Sequence, residues 1–298
     1  MIRVRAALVA AAAILCSPGA AAQQTLYATS LRSEAPAGGA FVSGNLYAVD
    51  PDRATATLIG AIHVGDSPVG VVSIAAQPGS GVLYGITAGL SRVVPRSLLI
   101  IDLRRAEARI VARLATRGSD LAFAADGTLY MWAPDQQRVV RVDLQSGDVS
   151  PVNRDPVPGS AGGAIAVDDA RHQALVAVKG AQGTLDSVDL ATGAVTIGPR
   201  LTGAVHDASI DNFTLSPGGV LYGVNSNGGA PSKAALVIVD PATGAIRNIG
   251  PLPDDVRGLI FAGEQVRTAV SRESLRVGAL AALALVAACI IAYAMWRH

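Results

Sequence analysis

The stretch that decides the fold is VIVDPATGAIRNIGPL, from Val237 to Leu252, because a near copy, DSVDLATGAVTIGPRL, stands about fifty residues earlier, from Asp186 to Leu201. In Asp240-Pro241-Ala242-Thr243-Gly244 the Asp side chain accepts backbone N–H bonds from the residues that follow. Pro241 presets φ, and Gly244 takes φ > 0 without a Cβ clash. That is a hairpin turn between two segments rich in β-branched residues, Leu236 to Val239 and Ala245 to Ile249. The same strand–turn–strand text returns from Tyr47 to Gly60, Leu99 to Leu114, Val139 to Val152 and Ser187 to Leu201, which makes five copies.

The marker aspartates are Asp50, Asp102, Asp143, Asp189 and Asp240, spaced 52, 41, 46 and 51 residues apart. A period in that range signals a propeller or solenoid array. A second hairpin precedes each of the last four copies: Ser73 to Ala76 with Val82 to Gly85, Leu121 to Phe123 with Thr128 to Tyr130, Ala164 to Val167 with Ala174 to Val176, and Phe213 to Leu215 with Val220 to Tyr222. Each repeat thus holds four antiparallel strands, one propeller blade. The first copy, starting at Leu26-Tyr27-Ala28, lacks its innermost strand, while the last copy is followed by a spare one, Gly258-Leu259-Ile260-Phe261-Ala262. Joining them hides two sheet edges. The expectation is an all-β, five-bladed β-propeller closed by strand exchange between the termini, with a different blade count, an open array or a β-sandwich of many short strands as the alternatives.

Composition agrees: half the residues are hydrophobic, 16% are charged, and 32 glycines and 16 prolines punctuate the chain. This is the profile of a β-rich globular protein. The ends of the chain carry an address. Arg3 and Arg5 precede an apolar run, Ala6 to Cys16, and the small residues Ala20-Ala21-Ala22 follow, so residues 1–22 read as a secretory signal peptide. The propeller then occupies 23–263, a juxtamembrane linker 264–276, and residues 277–296 form an uncharged twenty-residue stretch bounded by Arg276 and Arg297. At about 1.5 Å per residue that stretch makes a helix of ~30 Å, enough for one transmembrane span. The two-residue tail 297–298 is then cytoplasmic, the propeller is exported, periplasmic in a Gram-negative cell, and the membrane is a partner through this helix.

Both cysteines, Cys16 and Cys289, lie in those terminal segments, so residues 23–263 hold no disulfide and no thiol nucleophile. Setting aside Arg3, Arg5 and Arg297 leaves 21 basic against 23 acidic residues. A nearly neutral exported part has no basic field to draw nucleic acid.

The repeats resemble those of secreted bacterial β-propellers of the YVTN and quinoprotein-like superfamily, in which a Leu-Tyr-x-Val-Asp-x-x-Thr-Gly pattern recurs; Leu46 to Asp50 and Asp189 to Gly193 match it. The resemblance covers most of residues 24–263. It implies the fold and leaves activity open. Quinone-binding relatives end each repeat in a tryptophan, whereas Ile59-Gly60, Ile197-Gly198 and Ile249-Gly250 stand in that place here, so no cofactor is expected.

In a blade whose strands run outward from the axis, one face gathers the tight turns and the other the unequal loops, where recognition usually resides. The blade junctions on that loop face are expected to enter the central channel. They carry His63 and Asp66, then Arg117 and Asp120, then His206, Asp207 and Asp211, then Asp255 and Arg257. Imidazole and carboxylates in one mouth bind divalent cations or move protons, and the same residue types also cap turns. No Gly-x-Ser-x-Gly, His-Glu-x-x-His or Walker-type motif occurs, and glutamate is confined to Glu34, Glu107, Glu264 and Glu273. The reading is therefore a membrane-anchored extracytoplasmic module that binds a ligand or a protein, with a propeller hydrolase or lyase using the junction residues as the alternative.

Overall fold

The computed structural model describes residues 25–31, 44–89, 91, 94–158, 160–179, 183–206 and 209–262. The expected signal peptide, juxtamembrane linker, transmembrane helix and cytoplasmic tail, and the candidate residue Asp207, lie outside these residues. Among the described residues no helix is long and apolar enough to cross a membrane.

Five antiparallel sheets form five blades. Blade one is built from Thr25–Ser30, Asn45–Val49 and Ala56–Ala61, and the C-terminal strand Val256–Ala262 pairs with Thr25–Ser30 as its innermost member. The strand exchange expected from the sequence thus closes the ring. Blade two runs outward as Val71–Ala76, Leu83–Thr87, Ser97–Asp102 and Glu107–Arg113; blade three as Asp120–Phe123, Leu129–Ala133, Arg138–Val142 and Val149–Pro151. Blade four is Ser160–Asp168, Gln173–Lys179, Leu185–Asp189 and Val195–Thr196, and blade five Ser209–Leu215, Leu221–Ser226, Ala234–Val239 and Ile246–Leu252.

The hydrophobic core is divided among the five blade interfaces. Tyr27, Leu46 and Ala262 of blade one pack with Ile74, Leu83, Leu99 and Ile101 of blade two. Equivalent clusters follow around the ring, ending with Val224, Leu236 and Leu252 of blade five against Leu26, Ala28, Val256 and Leu259 of blade one. Strands buried on both faces need apolar side chains at successive positions, which is why the second strands read Leu-Tyr-Gly-Ile-Thr and Leu-Tyr-Met-Trp-Ala, all buried. Alternation survives only at the periphery, as in Glu107–Arg113.

The repeated aspartate turn has a second task. Within the turn, Asp189 Oδ1 accepts from Ala191 N at 3.0 Å, Gly193 N donates to the Asp189 carbonyl at 2.8 Å, and Gly193 sits at φ 75°. A Cβ on Gly193 would also lie 2.3 Å from the carbonyl oxygen of Val152, at the end of the outer strand of the preceding blade. Gly147 and Gly244 meet the preceding blade in the same way, and Ala115 N and Thr202 N donate to their carbonyls at 3.2 and 3.0 Å. The recurring text is thus a clasp between neighbouring blades as well as a turn.

Candidate functional site

The innermost strands align at one position, occupied by Ser73, Asp120, Ala164, Asn212 and Gly258 and followed each time by a large apolar residue, Ile74, Leu121, Ile165, Phe213 or Leu259. Side chains of this layer fill the centre of the ring. Asp120 Oδ1 accepts from Ser73 Oγ at 2.7 Å, from Leu121 N at 2.8 Å and from Asn212 Nδ2. Its Oδ2 accepts from Ile165 N at 2.7 Å and Phe213 N at 3.0 Å. Asn212 Oδ1 in turn accepts from Leu259 N at 2.9 Å. One carboxylate and one amide therefore tie together the inner strands of all five blades. The neighbours leave room for this: a Cβ on Gly258 would lie 2.4 Å from Thr29 Oγ1 and 3.1 Å from Ser73 Cα.

Asp120 is fully buried. Loss of hydration pushes its carboxyl up to about 7, and the donors from Ile165, Ser73, Phe213 and Leu121 pull in the other direction. No cationic side chain bonds to it among the described residues.

One residue towards the loop face lies a second polar layer, formed by Ser119, Asp211 and Arg257, while Val72 and Gly163 hold that position in blades two and four. Arg257 Nη1 donates to Asp211 Oδ2, as does Ser226 Oγ, and Ser209 Oγ donates to Asp211 Oδ1 at 2.6 Å. The side chains of Asp211 and Arg257 are 6% and 17% exposed. Ser119 Oγ donates to the Gly163 carbonyl at 2.9 Å, joining blades three and four. Asn225 fixes the junction before blade five by donating to the carbonyls of His206 and Ser209 and accepting from His206 N.

The junction residues expected at one mouth are therefore spread over five settings. Asp120 is in the channel, and Asp211 with Arg257 lies above it; these three do converge. His206 is held at the rim through its backbone. Asp255 is buried in the left-handed conformation, φ 60°, where its Oδ1 accepts from Ser232 N at 2.8 Å and its carbonyl accepts from Leu31 N at 2.9 Å, so it splices two loops. Arg117 lies outward, paired with Asp135 at 2.7 Å and with its stem against Gly89. His63 and Asp66 do not enter the channel. His63 N donates to the Ala106 carbonyl at 3.2 Å and pairs in parallel with Glu107, and the hairpin His63–Val64 to Ser67–Pro68 caps the outer edge of blade two. Strand twist accumulates from the axis outward and delivers the end of one outer strand to the next blade's turn, so the chain passes through that clasp before turning inward.

Geometry restricts the chemistry available. A general acid or base must reach a proton on bound substrate. Asp120 is shut inside a filled channel, while Asp211 and Asp255 hold neighbouring residues. Among the described residues no group of three or more His, Cys, Asp or Glu is placed to hold a metal ion. Ser73, Ser226, Asn212 and Asn225 complete these layers and are absent from any motif. For Ser73 and Asn212 the signal in the sequence is a column of small or polar residues where aligned inner strands are otherwise apolar; Asn225 and Ser226, on the second strand of blade five, leave no such column.

No family model matches the chain, and no curated protein matches it in sequence. Among solved structures, a chain of a nidogen/laminin complex is similar with a TM-score of 0.53 at 11% identity, over 80% of this chain and 98% of that one. TolB from Acinetobacter baumannii gives 0.46 at 15% identity over 80% and 66%, and hydrazine synthase of Kuenenia stuttgartiensis gives 0.41 at 19% identity over 61% and 49%. At such identities the first likeness concerns the fold alone. The chain is an all-β protein with a five-bladed propeller arrangement.

Proposed function

We propose that this protein is an exported, membrane-anchored β-propeller whose loop face binds a protein or ligand partner. The observation that supports this reading is the asymmetry of the ring. One face is a repeat of aspartate turns that clasp neighbouring blades. The other carries unequal connections, among them Ala88 to Arg96 and Asn227 to Lys233, on a scaffold locked at its axis. A rigid ring with variable loops on one side presents recognition residues at low entropic cost. The similar chain of known structure belongs to a nidogen/laminin complex, so this kind of scaffold serves a protein assembly there. Residues 1–22 and 277–296 support export and anchoring by their sequence.

The inner strand Val256–Ala262 runs from the loop face to the tight-turn face. A chain that continues from Ala262 into a membrane helix holds the aspartate turns towards the bilayer and the loop face away from it. Photo-crosslinking amino acids placed in cells at Val205 and Ala230, exposed on the loop face, and at Gln145 and Ala242, exposed on the other, test the reading. Discrete adducts are expected from Val205 and Ala230. Adducts confined to Gln145 and Ala242, or none from either face, would overturn it.

A further inference from the structure

The bonds around Asp120 are spent on closure and leave open why a carboxylate was placed there. An asparagine or serine could bridge two strands, yet only a carboxylate offers two oxygens that accept from four strands at once, and it does so with 0% exposure. The titratable and charged groups around it can be named by element. The blade-two inner strand, Val71–Ala76, brings none; the blade-four strand, Ser160–Asp168, brings only Asp168 at its far end; the blade-five strand brings Asp211 and the C-terminal strand Arg257, already bonded to each other; and the second strands of blades three and two, Leu129–Ala133 and Leu83–Thr87, bring Tyr130 and Tyr84. An ionised Asp120 has hydrogen-bond donors and no counter-ion of its own. A protonated Asp120 finds an acceptor in Ser73 Oγ, which already accepts from Leu121 N at 3.0 Å and lies 2.7 Å from Oδ1.

We propose that the Asp120, Ser73 and Asn212 layer is a proton-linked lock on ring closure, holding the exchanged C-terminal strand most firmly when Asp120 carries its proton and loosening it when the proton leaves. The link to closure is Asn212, which donates to Asp120 and accepts from Leu259 of the exchanged strand. Burial without a counter-ion penalises the charged form, and the upward displacement of the carboxyl to about 7 has that cause as its largest contribution. The sign follows from linkage. Between the ordinary aspartate range and about 7 the folded chain keeps a proton that the unfolded chain has released. Raising the pH through that window therefore favours unfolding. The stabilisation is complete below the ordinary aspartate range and is gone above about 7.

The test uses the full chain in detergent with Trp296→Phe, so that buried Trp132, the register partner of Asp120, reports alone. Between pH 5.5 and 8.5 the unfolding temperature is expected to fall by roughly 4–8 °C, and Asp120→Asn, which cannot titrate, should flatten that dependence. If the Asn variant does not fold, the parent chain still decides. Amide exchange in 256–262, corrected for its intrinsic pH dependence, should quicken as pH rises through about 7. A parent chain that instead gains stability as pH rises over this range, or an exchange rate in 256–262 that is flat after correction, would overturn the proposal.

Discussion

Shortening the chain before Val256 is the sharpest perturbation of the ring. It removes two fully buried side chains, Val256 and Leu259, together with Ala262, and uncovers Leu26 and Ala28 on the neighbouring strand. Burying a Val or Leu contributes about 1.5–3 kcal/mol, so the two lost side chains cost ~3–6 kcal/mol before the ladder with Thr25–Ser30 and the partial burial of Ile260 and Phe261 are added. A domain is stable by about 5–15 kcal/mol in all, so the remainder has little left. The comparison is between chains ending at Ala262 and at Asp255, both lacking the terminal apolar segment, followed by Trp132 fluorescence in urea. The longer chain should unfold cooperatively and the shorter should show no folded baseline. A graded version is Leu259→Ala, a cavity at the interface of blades five and one, which should cost ~2–5 kcal/mol and lower the unfolding temperature by about 5–15 °C. Should the shorter chain unfold within about 2 °C of the longer one, the C-terminal strand is an ornament and the closure argument fails.

Three further outcomes follow from particular contacts. Gly193→Ala should destabilise by at least ~2 kcal/mol, because the new Cβ meets both a left-handed backbone and the Val152 carbonyl; chemical denaturation measures it. Arg257→Met should cost ~3–5 kcal/mol by stranding the Asp211 carboxylate, whereas Arg257→Met with Asp211→Leu should cost less than the single change, and equal costs would show that the pair is not coupled. Single cysteines at Ala230 and Gln145, in a Cys16- and Cys289-free background, should be labelled from the exported side of sealed membranes, Ala230 faster than Gln145; the reverse order refutes the orientation with the aspartate turns towards the bilayer.

Blade number and blade boundaries were legible because they are local, and closure because the two ends of the chain are unequal. An aspartate turn with a left-handed residue four positions on is written in adjacent residues, and the missing strand at Leu26 and the spare one at Leu259 are visible as an imbalance between the ends of the chain. Which junction residues meet is not local. His63 and His206 stand in similar-looking junctions, yet twist carries His63 to an outer edge while Asn225 holds His206 at the rim. Asp120 reads in the sequence as one junction carboxylate among several, and its joining role is not written beside it because its partners, Ser73, Ile165 and Asn212, lie 47, 45 and 92 residues away. A hydrogen bond across the axis depends on where five strands sit relative to one another, and that relation is set by the packing of the interface cores. Periodic turn chemistry in the sequence thus determined how many blades this protein has; the tertiary structure alone decided that a single buried carboxylate would join them, because only the closed ring brings its donors within reach.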